Sequence, residues 1–84
     1  MCRILRQYRQ SNIELYVISK VKELRLKHNL SQSDLAFELE VTNGFIGQIE
    51  TPIHPAKYNL NHLNKLVIVL NCSPKEFLPE RPLR

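Results

Sequence analysis

Residues 30–50 constrain this chain more tightly than any other stretch. Two hydroxyl residues, Ser31 and Thr42, each precede apolar residues at helical spacing: Leu35, Ala36 and Leu39 after the first, Ile46 and Ile49 after the second. A hydroxyl at a helix start accepts a hydrogen bond from a backbone N–H that the helix itself leaves unpaired. Asp34, three residues beyond Ser31, also suits the positive end of a helix. Only Glu40-Val41 separates the two patterns, so the spacing predicts two short helices joined by a tight turn. Ala36 is small where two such helices must cross closely. On the second helix Ile46 and Ile49 face inward, and Asn43, Gly44, Gly47 and Gln48 are left on the outer side.

The flanks supply the rest of a small helical domain. Ser11 and Glu14 have capping-box spacing, and Val17, Val21 and Leu24 follow at i, i+4 and i+7 with Ile18 beside them. This predicts a long first helix, wetter on the side of Lys20, Lys22, Glu23 and Lys27, that frays near His28-Asn29. Thr51-Pro52 ends the second short helix, because proline disfavours helical geometry in the residue before it. Residues 53–58 then read as a loop. Asn59 is the expected cap of a fourth helix over Leu60 to Leu70, with Leu60, Leu63, Leu66, Val67 and Leu70 inward and Asn71 closing it. Ser73-Pro74-Lys75-Glu76 is a strong start signal, with a cap, a proline at the first helical position and a capping-box glutamate. It predicts a short fifth helix that plugs Phe77 and Leu78 into the core. The domain is thus expected over 11–78, with residues 1–10 as a basic arm or extra helix and 79–84 as a tail.

At 84 residues and 43% apolar content, the chain is one small domain near the lower end of what folds without disulfides or metal. Cys2 and Cys72 offer no disulfide framework, and His28, His54 and His62 have no zinc-ligand spacing. No acid–base, nucleophile or metal constellation is visible, so neither an enzyme nor a cofactor is expected. No apolar run is long enough to span a membrane, and Met1 to Arg6 lacks the features of a signal peptide. A cytoplasmic protein in a reducing compartment is the expectation.

These residues together resemble the phage-repressor and Cro-like helix-turn-helix DNA-binding proteins, over roughly residues 17–78. The resemblance rests on Arg25; on Leu30-Ser31-Gln32, Leu35 and Ala36; on Val41-Thr42, Ile46 and Ile49-Glu50; on Leu63, Leu66 and Leu70; and on Ser73-Pro74-Lys75-Glu76-Phe77-Leu78. It implies an all-α, five-helix, lambda-repressor-like domain whose helix over 42–50 enters the major groove of DNA. It also implies DNA contacts at Gln32, Thr42, Asn43, Gly44, Gly47, Gln48, Thr51 and Lys57. Gln32 and Thr42 would meet the DNA backbone, whereas Asn43 and Gln48 would read bases. An amide that pairs bidentately with adenine gives about 1–3 kcal/mol of discrimination. Arg25 and Glu50 would form a partly buried ion pair of structural purpose. Glu40 stands where the family's turn usually has glycine, at a cost of about 1 kcal/mol if the left-handed geometry is kept.

The charge distribution complicates this picture. The chain carries a net +4 with pI near 9.3, compatible with a polyanionic partner. Residues 1–30 hold a net +5 and residues 52–84 a net +3, but residues 31–51 hold Asp34, Glu38, Glu40 and Glu50 with no Lys or Arg. Attraction to phosphate must therefore come from the flanks. Arg3, Arg6 and Arg9 can follow a DNA backbone, pack on a partner subunit or simply be solvated. His54 and Lys57 lie in the loop after the second short helix. Phe45 is open to a thymine methyl, to partial burial or to a dimer contact. Leu66 to Leu70 is apolar all round its helix, which calls for cover by the N-terminal segment or by a second copy. The leading expectation is a dimeric transcriptional regulator, most simply a repressor, on double-stranded DNA. The alternative is a protein-interaction module, such as the antitoxin of a toxin–antitoxin pair, with a protein partner.

Overall fold

The computed structural model describes residues 11–51 and 55–83. The chain forms helices α1 (Asn12–Lys27), α2 (Gln32–Leu39), α3 (Asn43–Ile49) and α4 (Leu60–Val69), then one 3-10 turn over Pro74–Phe77. No strand occurs among the described residues. The expected arm at 1–10 and His54 lie outside them.

Each helix starts where its cap residue dictates. Ser11 and Glu14 form a reciprocal capping box, as do Ser31 and Asp34. Thr42 caps α3 from one side only, accepting from Phe45 N–H at 3.2 Å. Asn59 caps α4, and here the reciprocal partner is a histidine, His62. Three helices also end alike. Asn29, Glu40 and Asn71 take positive φ, at 59°, 61° and 52°. The next residue in each case bonds back five positions, Leu30 to Arg25, Val41 to Ala36 and Cys72 to Val67. This closure satisfies carbonyls that a helix end otherwise leaves open.

The core gathers Val21 from α1, Leu35, Ala36 and Leu39 from α2, Ile46 and Ile49 from α3, Leu66 and Leu70 around α4, and Phe77, all at most 1% exposed. Burying each large side chain stabilises the fold by roughly 1.5–3 kcal/mol. Leu24, Leu30, Tyr58, Leu63, Val67 and Cys72 pack around this centre while half-buried. α3 leans mainly on α2, the pairing that Ala36 permits by its size.

Two expectations need correction. The fifth helix is a single 3-10 turn, because Leu78 is already extended (φ −114°, ψ 142°). Pro79 follows it and disfavours any helical continuation. Phe77 is fully buried as expected, but Leu78 is 46% exposed. Leu60 does not face inward and is 82% exposed. At 3.6 residues per turn it falls on the side of Asn64 and Ile68, away from Leu66 and Leu70.

Candidate nucleic-acid interface

The interface is built from its buried side outward. Arg25, in the last turn of α1, is 6% exposed, and its guanidinium meets two partners, one beside α2 and one beside α3. Its Nη1 donates to the Leu30 carbonyl at 2.8 Å, ahead of α2. Its Nε and Nη2 donate to the two carboxylate oxygens of Glu50, just past α3, at 3.1 and 3.0 Å. Such a two-pronged arrangement is the geometry for which a guanidinium is shaped. The Glu50 side chain is 4% exposed, so both charges are removed from water together. The ion pair expected between these residues is therefore present, and it fixes the end of α3 against α1.

Gln32 joins the same cluster, which the sequence did not suggest. Its Nε2 donates to Glu50 Oε1 at 3.0 Å, so the amide is turned back toward the frame. Its oxygen lies over Gly47, 3.4 Å from where a Cβ at that position would sit. Gln32 thus lies across the junction of the two short helices with its orientation set before any partner arrives. Thr51 is likewise engaged, its hydroxyl donating to the Gly47 carbonyl at 2.7 Å.

On the outer face of α3, Asn43, Gly44 and Gln48 are exposed, and Thr42 is exposed at its start. A Cβ at Gly44 would meet no atom within 4 Å, so the fold leaves that position empty. Asn43 to Ile49 includes no ionisable side chain. Phe45 turns away from this face. Its ring tilts against His62 of α4, with centroids 5.4 Å apart, and His62 in turn meets Tyr58 edge-on at 6.1 Å. Of the three openings for Phe45, the structure takes partial burial.

The connector after α3 is pinned elsewhere. Lys57 bonds Glu14 of α1 at 2.8 Å, which moves it into an ion pair. Burial alone works to raise the Glu14 pKa, but the Lys57 bond and the Ser11 cap together hold it below the ordinary value. Tyr58 lies beside the Arg25–Glu50 pair, its hydroxyl buried with no hydrogen-bond partner among the described residues. Burial, then the Glu50 charge, holds that phenol far above its usual pKa. Cys72 is half-buried beside the core, its thiol pushed up by burial and then by Glu76. Among the described residues no group of acidic, histidine or cysteine side chains could hold a metal ion.

A helix-turn-helix family model (HTH_3) matches residues 21–77, from α1 through the 3-10 turn. The chain belongs to the helix-turn-helix family. It is 35% identical over 69 residues to Control protein C.BamHI of Bacillus amyloliquefaciens, across 81% of this chain and 83% of that relative. It is also similar in structure to the restriction-modification controller protein C.AhdI from Aeromonas hydrophila. That match has a TM-score of 0.67 and 25% identity, and covers 82% of this chain and all of the other. This helix-turn-helix protein is a DNA-binding transcriptional regulator and not an enzyme. No helix among its described residues is long and apolar enough to cross a membrane.

Proposed function

We propose that this protein binds a short two-fold DNA site as a homodimer in the cytoplasm and controls the transcription of restriction–modification genes. The observation that carries the reading is the contrast across α3. Ile46, Ile49 and Glu50 are locked into the frame, while Asn43, Gly44 and Gln48 are exposed and a Cβ at Gly44 would meet no atom within 4 Å. The uncharged outer face suits base edges, where an amide can pair with adenine and a glycine allows the backbone to come close. Gln32, Thr42, Gly47 and Thr51 flank it as backbone contacts. Lys57, paired with Glu14 but half exposed, keeps N–H donors for a phosphate. The binding unit spans 11–78, and the residues at 1–10 add positive charge. The match to two controllers of this class supports the choice of target genes.

The dimer is supported by the outer face of α4. Leu60 is 82% and Ile68 74% exposed, with Asn64 midway between them. A second copy laid antiparallel across a two-fold axis at Asn64 sets Leu60 of each against Ile68 of the other, the self-complementarity that such an axis demands. A second copy accounts for this face without the separate protein partner of the alternative reading.

The test is selection of bound sequences from a random DNA pool at two salt concentrations, followed by gel shifts with Asn43→Ala/Gln48→Ala. We expect a two-fold consensus whose binding weakens as salt rises. The double variant should retain only unselective binding; an unchanged sequence preference overturns the proposed readout.

A further inference from the structure

The recognition helix α3 touches α4 through an aromatic pair whose second member is also a structural cap. We infer that His62, in its neutral form, is a positioning residue for the recognition helix, joining the start of α4 to α3 through the Phe45 ring. The argument is geometric. His62 Nδ1 accepts the Asn59 backbone N–H at 3.1 Å, and the His62 backbone N–H returns to Asn59 Oδ1 at 2.8 Å. The first of these bonds needs a bare lone pair on Nδ1, so the proton of the neutral ring sits on Nε2. The bond therefore fixes the plane of the imidazole, and against that plane rests Phe45, next to Gly44 on α3. Tyr58 meets the same ring edge-on, with centroids 6.1 Å apart.

A proton on Nδ1 removes the acceptor and points an N–H at an N–H. The ring must then turn or leave the cap, and Phe45 loses the surface it rests on. The surrounding charges oppose that proton. On α4, Lys65 is one turn away; on the connector, Lys57 is engaged by Glu14 of α1 and Tyr58 is a neutral phenol; α3 brings no ionisable group within Asn43–Ile49. Burial, and after it Lys65, holds the imidazole pKa below its ordinary 6.5. The unfolded chain accordingly takes up the proton first as pH falls. Stability from the neutral ring is complete above about pH 6.5 and is lost as pH drops through the folded-state pKa.

This inference draws its biological meaning from reading α3 as the DNA-contacting helix, but its test uses the free protein. The chain has two glycines, Gly44 and Gly47, and both lie in α3. In a nitrogen-15 NMR titration of the full chain from pH 8 to 5, we expect both glycine amide signals to move with the midpoint of the His62 ring signals, below 6.5. His62→Phe keeps a ring against Phe45 but cannot titrate. His62→Gln can keep the cap bond but has no ring. In either variant the shared movement should vanish. Glycine signals that hold still while the His62 ring titrates overturn the inference, as do signals that titrate undiminished in a folded variant. Loss of sequence preference in the Asn43/Gln48 double variant is read separately on DNA, so the two readings fail independently.

Discussion

α2 and α3 are neighbours of eight and seven residues, yet they are stabilised in opposite ways. α2 closes on itself at both ends. Ser31 and Asp34 exchange hydrogen bonds at 2.9 and 3.0 Å at its start, and Glu40 and Val41 close its end. α3 has the single Thr42 bond at its start, two glycines in its body and no left-handed closure at its end. Each glycine costs a helix about 0.8–1.0 kcal/mol relative to alanine. α3 therefore owes its helicity to the frame: Ile46 and Ile49 in the core, Glu50 on Arg25, Phe45 on His62. The motif divides its work accordingly, with a helix well closed at both ends holding one that leans more heavily on the frame.

The largest expected effect comes from removing the anchor of the dependent helix. Glu50→Ala leaves the Arg25 guanidinium buried without its partner and should cost about 3–5 kcal/mol in urea unfolding. Amide exchange should accelerate at Gly47 before it does in α2; equal acceleration in both helices would erase the distinction between them. Gly44→Ala tests the same point from the other side. The added Cβ has open space, so stability should rise by about 0.8–1 kcal/mol. Affinity for the selected DNA site should fall if the backbone of α3 approaches it there. A smaller gain, under about 1 kcal/mol, is expected at the end of α2 from Glu40→Gly. That change relieves the φ of 61° but loosens the unfolded chain. Thermal melts of the single and double variants should show the Gly44 and Glu40 effects adding.

The smallest effect is a pH signature. The Ser31 backbone N–H, and then its side chain, hold the Asp34 carboxyl below its ordinary value of 3.8. The contribution of this box is complete above that value and fades as pH falls through the folded-state pKa. Amide signals of Ser31 and Asp34 should titrate there, whereas the Thr42 cap of α3, which has no carboxylate, should show no such step.

Helix boundaries were largely legible in the residues because caps and closures are local chemistry. Ser11, Ser31, Thr42, Asn59 and Ser73 all begin an element, and Asn29 and Asn71 close helices as their tolerance of positive φ suggests. Arg25–Glu50 was legible only through the family resemblance, since 25 positions separate the partners. What stayed hidden depends on how elements meet in space. The turning of Gln32 onto Glu50 needs both ends of the motif in place, and the His62–Phe45 contact needs the crossing of α3 and α4. Leu60 misled because a leucine at the start of an apolar helix reads as core, and only the outer row with Asn64 and Ile68 shows otherwise. The fifth element fell short because Pro79 acts on Leu78, a limit present in the chain but outweighed by the strong start at Ser73.

The empty surroundings of Gly44 have a consequence for how such a molecule can change its target. The Asn43 and Gln48 side chains and the open space at Gly44 carry no part of the fold's internal wiring, so a library varied at these three positions should still fold. On the proposed readout, recognition is interchangeable text on a fixed page: new operators would be acquired at these three positions while Arg25, Gln32 and Glu50 stay as they are.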